Sequence, residues 1–244
     1  MTIVRPERVT DADALINMAR VEDPEDRERF YELTREAELR KGAAVFTECV
    51  VNDIDGDDVT IGASSSSVTF HARPLSRLFA KGATVYPYVA TCGREMAEFG
   101  ESLTDPLEKY WWDVIMQGAV MHARNAMYND VSKIAGYEPV SANPGSIEMW
   151  PISNQPALFS LIGDVTGMIG VTIATSFLMI PLKSVSGIFF PGANAAASGD
   201  TTASNGTVAS GVFTHNCCIC TRENCSGRRA PFDAQLKAQL ENNM

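Results

Sequence analysis

The chain of 244 residues carries 20 Lys and Arg against 30 Asp and Glu, a net charge of −10. Its 45% apolar and 20% charged residues make an ordinary globular mix, long enough for one or two domains without disulfide support. A surface that acidic repels phosphate backbones and anionic lipid, so neither nucleic acid nor a membrane is an expected partner.

The opening, MTIVRPERVTDADAL, has no apolar run and predicts no secretory signal. Thr10 is the expected cap of a first helix with Ala14, Leu15 and Met18 on its apolar face. Asp23, followed by Pro24, Glu25 and Asp26, opens a second helix running through Phe30, Leu33 and Leu39 to a stop at Gly42. From Ala43 the period changes to that of strands, expected over Ala43–Val51 and Asp58–Phe70. Between them Asp53-Ile54-Asp55-Gly56-Asp57 reads as a turn. It lacks the twelve-residue ligand spacing and closing Glu of a calcium loop.

Pro74–Lys81 is an expected short helix and Thr84–Ala90 a strand, with Pro87 favouring an edge or a bulge. Asp105-Pro106 opens the longest predicted helix, ending at Gly136. Its apolar stripe is Leu107, Tyr110, Trp111, Val114, Ile115, Met127, Val131 and Ile134, with Trp111 and Trp112 as core anchors. A helix over Gln155–Ile162, a strand over Gly170–Thr175, another over Ser184–Phe190 and a short closing helix over Pro231–Asn242 complete the expected elements. The uncharged run Val165–Ile180 holds several Thr and Gly, whereas a membrane span needs about 20 mostly apolar residues. A cytoplasmic location is expected. Helices flanking a middle set of strands, without βαβ alternation, predict an α+β fold. The expected organisation is a domain over residues 1–192, a small-residue linker over 193–211 and a cysteine-rich segment over 212–244.

Three blocks in order give the chain a family likeness. They are Leu75–Gly82 leading into Val89–Gly93; Asn143-Pro144-Gly145 through Trp150-Pro151-Ile152 to Gln155 and Leu158-Phe159; and Gly170–Ser176 followed by Leu178–Pro181 and Lys183–Gly187. With them the chain resembles the activation domain of vitamin B12-dependent methionine synthase, and the free-standing relatives of that domain in corrinoid methyl-transfer systems. The resemblance implies a bent antiparallel sheet with packed helices. It also implies S-adenosylmethionine held over a corrinoid that a partner protein or methyltransferase carries. When the cobalt lapses to Co(II), an electron donor protein reduces it and the methyl group of S-adenosylmethionine traps Co(I).

In that family the ligand loop reads Arg-x-x-Pro-Gly-Tyr, whose guanidinium grips the ligand's carboxylate with two parallel bonds. Here the loop is Ser141-Ala142-Asn143-Pro144-Gly145-Ser146, so Ser141, Asn143, Pro144, Gly145 and Ser146 are the expected cofactor-binding positions. Ser141 replaces the Arg and Ser146 the Tyr. Losing a charge-assisted pair costs about 1.5–3 kcal/mol, or roughly 10- to 150-fold in affinity. Two readings follow. One is reductive reactivation of a corrinoid protein with S-adenosylmethionine, or support of Co(II) reduction. The other is a non-catalytic module that docks a corrinoid protein, carries a metal and has lost the ligand. Asp113 and Asp130 are the acids that the long helix offers near the loop, and Lys183, Ser184 and Ser186 read as strand and turn positions. No catalytic residue is nominated.

Cys217, Cys218, Cys220 and Cys225 place four thiols close together, and His215, Cys49 or Cys92 are further candidate ligands. Thiolates select zinc or an iron–sulfur cluster over hard metals. A cluster would suit electron delivery, zinc would staple the segment, and plain thiols on a flexible tail are the third alternative. Arg222, Arg228 and Arg229 gather here on an otherwise acidic chain. His71 and His122 each stand alone in the sequence and read as ordinary imidazoles.

Overall fold

The computed structural model describes all residues except 8–10, 64–65, 148, 193–215, 223, 226–227, 229 and 242–244. Its strands are β1 (Thr2–Val4), β2 (Ala43–Phe46), β3 (Cys49–Asp55), β4 (Asp58–Ala63), β5 (Ser66–His71), β6 (Thr84–Thr91), β7 (Pro139–Ala142), β8 (Thr172–Ile173), β9 (Met179–Ile180) and β10 (Ser184–Pro191). Its helices are α1 (Ala12–Ala19), α2 (Pro24–Glu38), α3 (Arg73–Leu78), α4 (Arg94–Ser102), α5 (Pro106–Ala135), α6 (Gln155–Ile162), α7 (Val165–Ile169) and α8 (Ala234–Glu241). The expected α+β class, with a bent antiparallel sheet and packed helices, is what the chain adopts.

Strand β6 is the centre, not an edge. One of its margins pairs with β2 and β3, the other with β10, and all three partners run antiparallel to it. β1 extends the sheet from β2 and β7 from β10, while β4 and β5 continue from β3 as a second arm. Proline explains why β2 and β3 are separate strands. The same register joins Phe46 to Tyr88 and Cys49 to Val85. In the gap Thr47 N–H donates to Pro87 C=O at 3.1 Å, and Pro87 has no N–H to return the bond. The sheet therefore divides opposite Pro87, which sits inside a central strand.

Side chains of β6 alternate between two cores, as the period of two requires. Tyr86, Tyr88 and Ala90 face α5, where Ala123, Met127 and Val131 meet them together with Phe46 and Phe189. Val89 faces the other way, with Ala43 and Val45 against α6 and α7. The second arm encloses a core of Phe70, Phe79, Trp150 and Leu158, to which Cys218, Ile219, Leu236 and Leu240 of the C-terminal segment also belong. The N-terminal helices α1 and α2, with α4, pack on the first half of α5 around Phe30, Trp111 and Trp112. Trp112 is fully buried and its indole N–H donates to Met96 C=O at 2.8 Å, the anchoring role expected of it.

Several boundaries differ from the sequence expectations. The cap of α1 is Asp11, whose carboxylate accepts from the N–H groups of Asp13 and Ala14, and the buried face is Leu15, Ile16 and Ala19; Met18 is 61% exposed. Thr10 lies outside the described residues. Helix α2 stops at Glu38, leaving Leu39 in solvent. Gly42 serves a close approach instead: a Cβ there would stand 2.7 Å from Thr91 O and 3.3 Å from Ala119 O, where strand and α5 converge. Of the expected α5 stripe Trp111, Ile115, Met127 and Val131 are buried, with Ala119, Val120 and Ala123 added between them, while Leu107, Tyr110 and Ile134 are exposed. The strand expected over Gly170–Thr175 contracts to β8, which pairs only with β9. Residues 193–211, expected as a linker, lie outside the described residues. No helix among the described residues is long and apolar enough to cross a membrane.

Candidate functional site

The loop after β7 is closed by its own backbone. Gly145 N–H donates to Trp150 C=O at 2.8 Å, Ser146 N–H to Asn143 C=O at 3.2 Å and Trp150 N–H to Ile147 C=O at 3.0 Å. Gly145 has φ +78°, in the left-handed region that glycine enters without strain, and it lies exposed beside Ser146. Pro144, Ile147 and Trp150 are buried and root the loop in the second-arm core.

Ser141 and Asn143 point inward. Asn143 Nδ2 donates to Tyr88 Oη at 2.8 Å, Tyr88 Oη meets Ser141 Oγ at 2.8 Å, and Ser141 Oγ donates to Asn143 Oδ1 at 3.2 Å. With the Ser141 proton given to Asn143, the tyrosine donates to the serine, and the three groups form a closed ring of bonds. The second Nδ2 proton goes to Ser186 C=O at 2.6 Å and the second Oδ1 lone pair accepts from Asn216 Nδ2 at 2.6 Å. All four hydrogen-bonding positions of the Asn143 amide are therefore used within the protein. Gly187 makes room for it: a Cβ there would lie 2.5 Å from Asn143 Nδ2 and 2.6 Å from Ala142 O.

The three blocks thus meet in space. Thr91 and Val89 of the first pair with Ser184 and Ser186 of the third, and Asn143 of the second bonds to Ser186. Ser184 Oγ donates to Thr91 Oγ1 at 2.9 Å, and Lys183 bridges to Asp113 of α5 at 2.8 Å, tying helix to sheet. Asp130 is turned to Lys133 on its own helix at 3.7 Å. His71 faces Asp58 across the β4–β5 pair at 2.7 Å, while His122 is half-buried on α5. Two of the three acids in the Asp53–Asp57 stretch are paired with cations. Lys81 bridges to Asp53 at 2.7 Å and Arg73 forks onto Asp57 at 2.8–3.0 Å, which holds both carboxyls below their usual range.

Cys217, Cys218, Cys220 and Cys225 are the expected metal ligands. Among the described residues no three His, Cys, Asp or Glu side chains are arranged to hold a metal ion, and no cysteine forms a disulfide. Cys218 is turned into the core beside Ile219, whereas Cys217, Cys220 and Cys225 are half-buried. What organises the segment is Arg228. Its guanidinium donates to the carbonyls of Cys217, Cys220, Arg222 and Ala230, at 2.9, 3.0, 2.6 and 3.2 Å. Burial pushes the Cys49 thiol up to about 11 and the Cys92 thiol up to about 12, so neither offers a thiolate near neutral pH. His215 and Arg229 lie outside the described residues.

Three side chains here carry no distinctive signal in the sequence: Tyr88, Asn216 and Arg124. Arg124, half-buried on α5, lies over the rings of Phe189 at 5.4 Å and Tyr88 at 6.0 Å, and those two rings stack at 4.2 Å. Asn216 Oδ1 is buried without a hydrogen-bond partner, as are Trp150 Nε1 and Gln155 Oε1 near the loop.

No protein-family model matches the chain, and no curated protein matches it. Among solved structures it is similar to the MetH reactivation domain bound to AdoHcy, at a TM-score of 0.56 and 14% sequence identity, over 78% of this chain and 77% of that one. The fold is that of the MetH reactivation domain. At that identity the relationship is one of fold.

Proposed function

We propose that the protein reactivates a corrinoid protein in a methyl-transfer system, binding an S-adenosylmethionine-type ligand and meeting a corrinoid carried by its partner. The observation that carries this reading is the fold it shares with the MetH reactivation domain, a domain whose structure holds AdoHcy. The meeting of the three family-like blocks at the β6–β10 seam supports it. The ligand would supply an electrophilic methyl group, and an electron donor protein the electron that readies the cobalt.

The chain's own contribution is positional. The exposed Gly145–Ser146 turn offers backbone to a ligand, and the Asn143 amide holds that turn to β10. Buried polar atoms on Trp150, Gln155 and Asn216 leave unmet hydrogen-bonding capacity around it. On the β8–β9 hairpin and its exit, Phe177, Leu178, Ile180 and Leu182 are 37–74% exposed, a surface suited to a macromolecular partner.

The test combines the full chain with a Co(II) corrinoid protein, a chemical reductant and S-adenosylmethionine, followed by visible spectroscopy. Growth of the methyl-cobalt spectrum, dependent on this protein, is the expected result. No rate increase over reductant alone would refute it. The buried Ser141 favours a second reading, in which the protein docks the corrinoid partner without S-adenosylmethionine. Co-elution with the corrinoid protein, combined with no calorimetric response to S-adenosylhomocysteine, would select that reading.

A further inference from the structure

Among the described residues Arg124 is a cation with no carboxylate against it. Arg29, Arg40 and Arg73 each meet a carboxylate at 2.6–2.8 Å. Among the described residues Arg124 meets only the faces of Phe189 and Tyr88. Ring faces attract a guanidinium but offer no acceptor oxygen to its five N–H donors, and this half-buried group keeps them available to a ligand. Half-burying such a group on a chain of net charge −10, with 30 acidic residues to choose from, leaves an anion-sized role open.

The position of this cation matters more than its charge. Tyr88, whose ring lies under Arg124, is hydrogen-bonded to both Ser141 and Asn143 at the base of the candidate loop. Ser141 stands where the resemblance expects a guanidinium, yet it is 6% exposed and closed into the Tyr88 ring of hydrogen bonds. The loop therefore lacks a cation, and the facing helix presents one across a shared tyrosine. At the far end of the same network the buried Oδ1 of Asn216 has no hydrogen-bond partner, while its Nδ2 donates to Asn143.

We infer that Arg124 of α5 takes the carboxylate of the ligand's amino-acid end, the role that a loop residue at position 141 cannot fill. The inference rests on the reading of an S-adenosylmethionine-type ligand given above and names the side chain that selects its amino-acid end. Tyr88 and Phe189 hold the guanidinium flat and fix its fork before the ligand arrives, so less rotamer freedom is lost on binding.

Calorimetric titration of the full chain separates the two readings. The probes are S-adenosylhomocysteine and 5′-methylthioadenosine, which keeps the adenosine and thioether but lacks the amino-acid end. The wild-type protein should prefer S-adenosylhomocysteine by about 10- to 150-fold, the span of one charge-assisted pair. Arg124→Gln should abolish that preference and leave 5′-methylthioadenosine affinity unchanged, while Arg124→Lys should keep part of it at an unchanged melting temperature. Equal preference in wild type and Arg124→Gln would overturn the assignment while leaving the ligand reading intact. Parallel loss of both ligands in Arg124→Gln and Arg124→Lys would also overturn it, as a structural effect. A wild-type protein that binds neither probe would refute the ligand reading, and the assignment with it.

Discussion

Replacing Asn143 by Ala removes four hydrogen bonds at once: to Ser186 C=O and Tyr88 Oη, and from Ser141 Oγ and Asn216 Nδ2. Each is worth about 0.5–1.5 kcal/mol net, and water recovers part of the loss because the residue is only half-buried, so about 2–4 kcal/mol is expected. For a chain of this size that corresponds to a fall in Tm of about 4–16 °C. Urea unfolding followed by tryptophan fluorescence reads it directly, as a lower midpoint at an unchanged slope. Asn143→Asp sharpens the test. The carboxylate keeps the acceptor for Ser141 and Asn216 but sets an oxygen against Ser186 C=O where a donor stood. The variant should be as unstable as the Ala variant at pH 7. It should recover as pH falls, because the folded state favours the protonated acid. A double-mutant cycle with Asn216→Ala should return a coupling of about 0.5–1.5 kcal/mol. A loss below about 0.5 kcal/mol for Asn143→Ala, within the scatter of an ordinary surface change, would refute the saturated-amide account.

The remaining predictions concern charge, thiols and a helix end. Arg73 holds the Asp57 carboxyl below its unfolded value, so the pair stabilises the protein above about pH 3.9 and ceases to do so as pH falls through the folded value. Asp57→Asn should therefore differ from wild type at pH 7 and converge on it near pH 2 in urea melts; a constant gap would contradict this. Maleimide labelling with mass spectrometry should modify Cys220 and Cys225 in the native protein and reach Cys49 and Cys92 only after unfolding. Rapid native labelling of Cys92 would show that its burial is misread. The Asp105 carboxylate accepts from the N–H groups of Leu107 and Glu108 at 2.7 and 3.0 Å, so Asp105→Ala should cost about 0.5–2 kcal/mol, with Asn restoring most of it.

What the sequence made legible was what is local and periodic. Asp23 and Asp105 cap their helices as expected, since an acid before a proline is a strong start signal. Strand β10 follows the expected Ser184–Phe190 span and continues through Pro191. The failures share one cause, which is that long-range partners were invisible. Pro87 read as an edge residue because nothing nearby shows that β6 has neighbours on both margins. Gly42 read as a helix stop because its close contacts, Thr91 and Ala119, are far along the chain. Helix α4, Arg94–Ser102, follows Gly93 with no side-chain cap and escaped notice altogether. At the candidate site the loop was found from Pro144 and Gly145. Tyr88, Arg124 and Asn216 belong to a strand, a helix stripe and a polar tail in which no motif marks them. Arg228 reads in the sequence only as one of three clustered arginines, and its four backbone carbonyl partners are visible only in the fold.

Because residues 84–91 stitch both arms of the sheet, neither half of the molecule should fold alone. Seven of those eight residues are fully enclosed, so a cut separating them from β2, β3 or β10 would strand a row of amide and carbonyl groups away from water. Gene fusion or fission should accordingly tolerate breaks outside the sheet and reject every break that divides this seam.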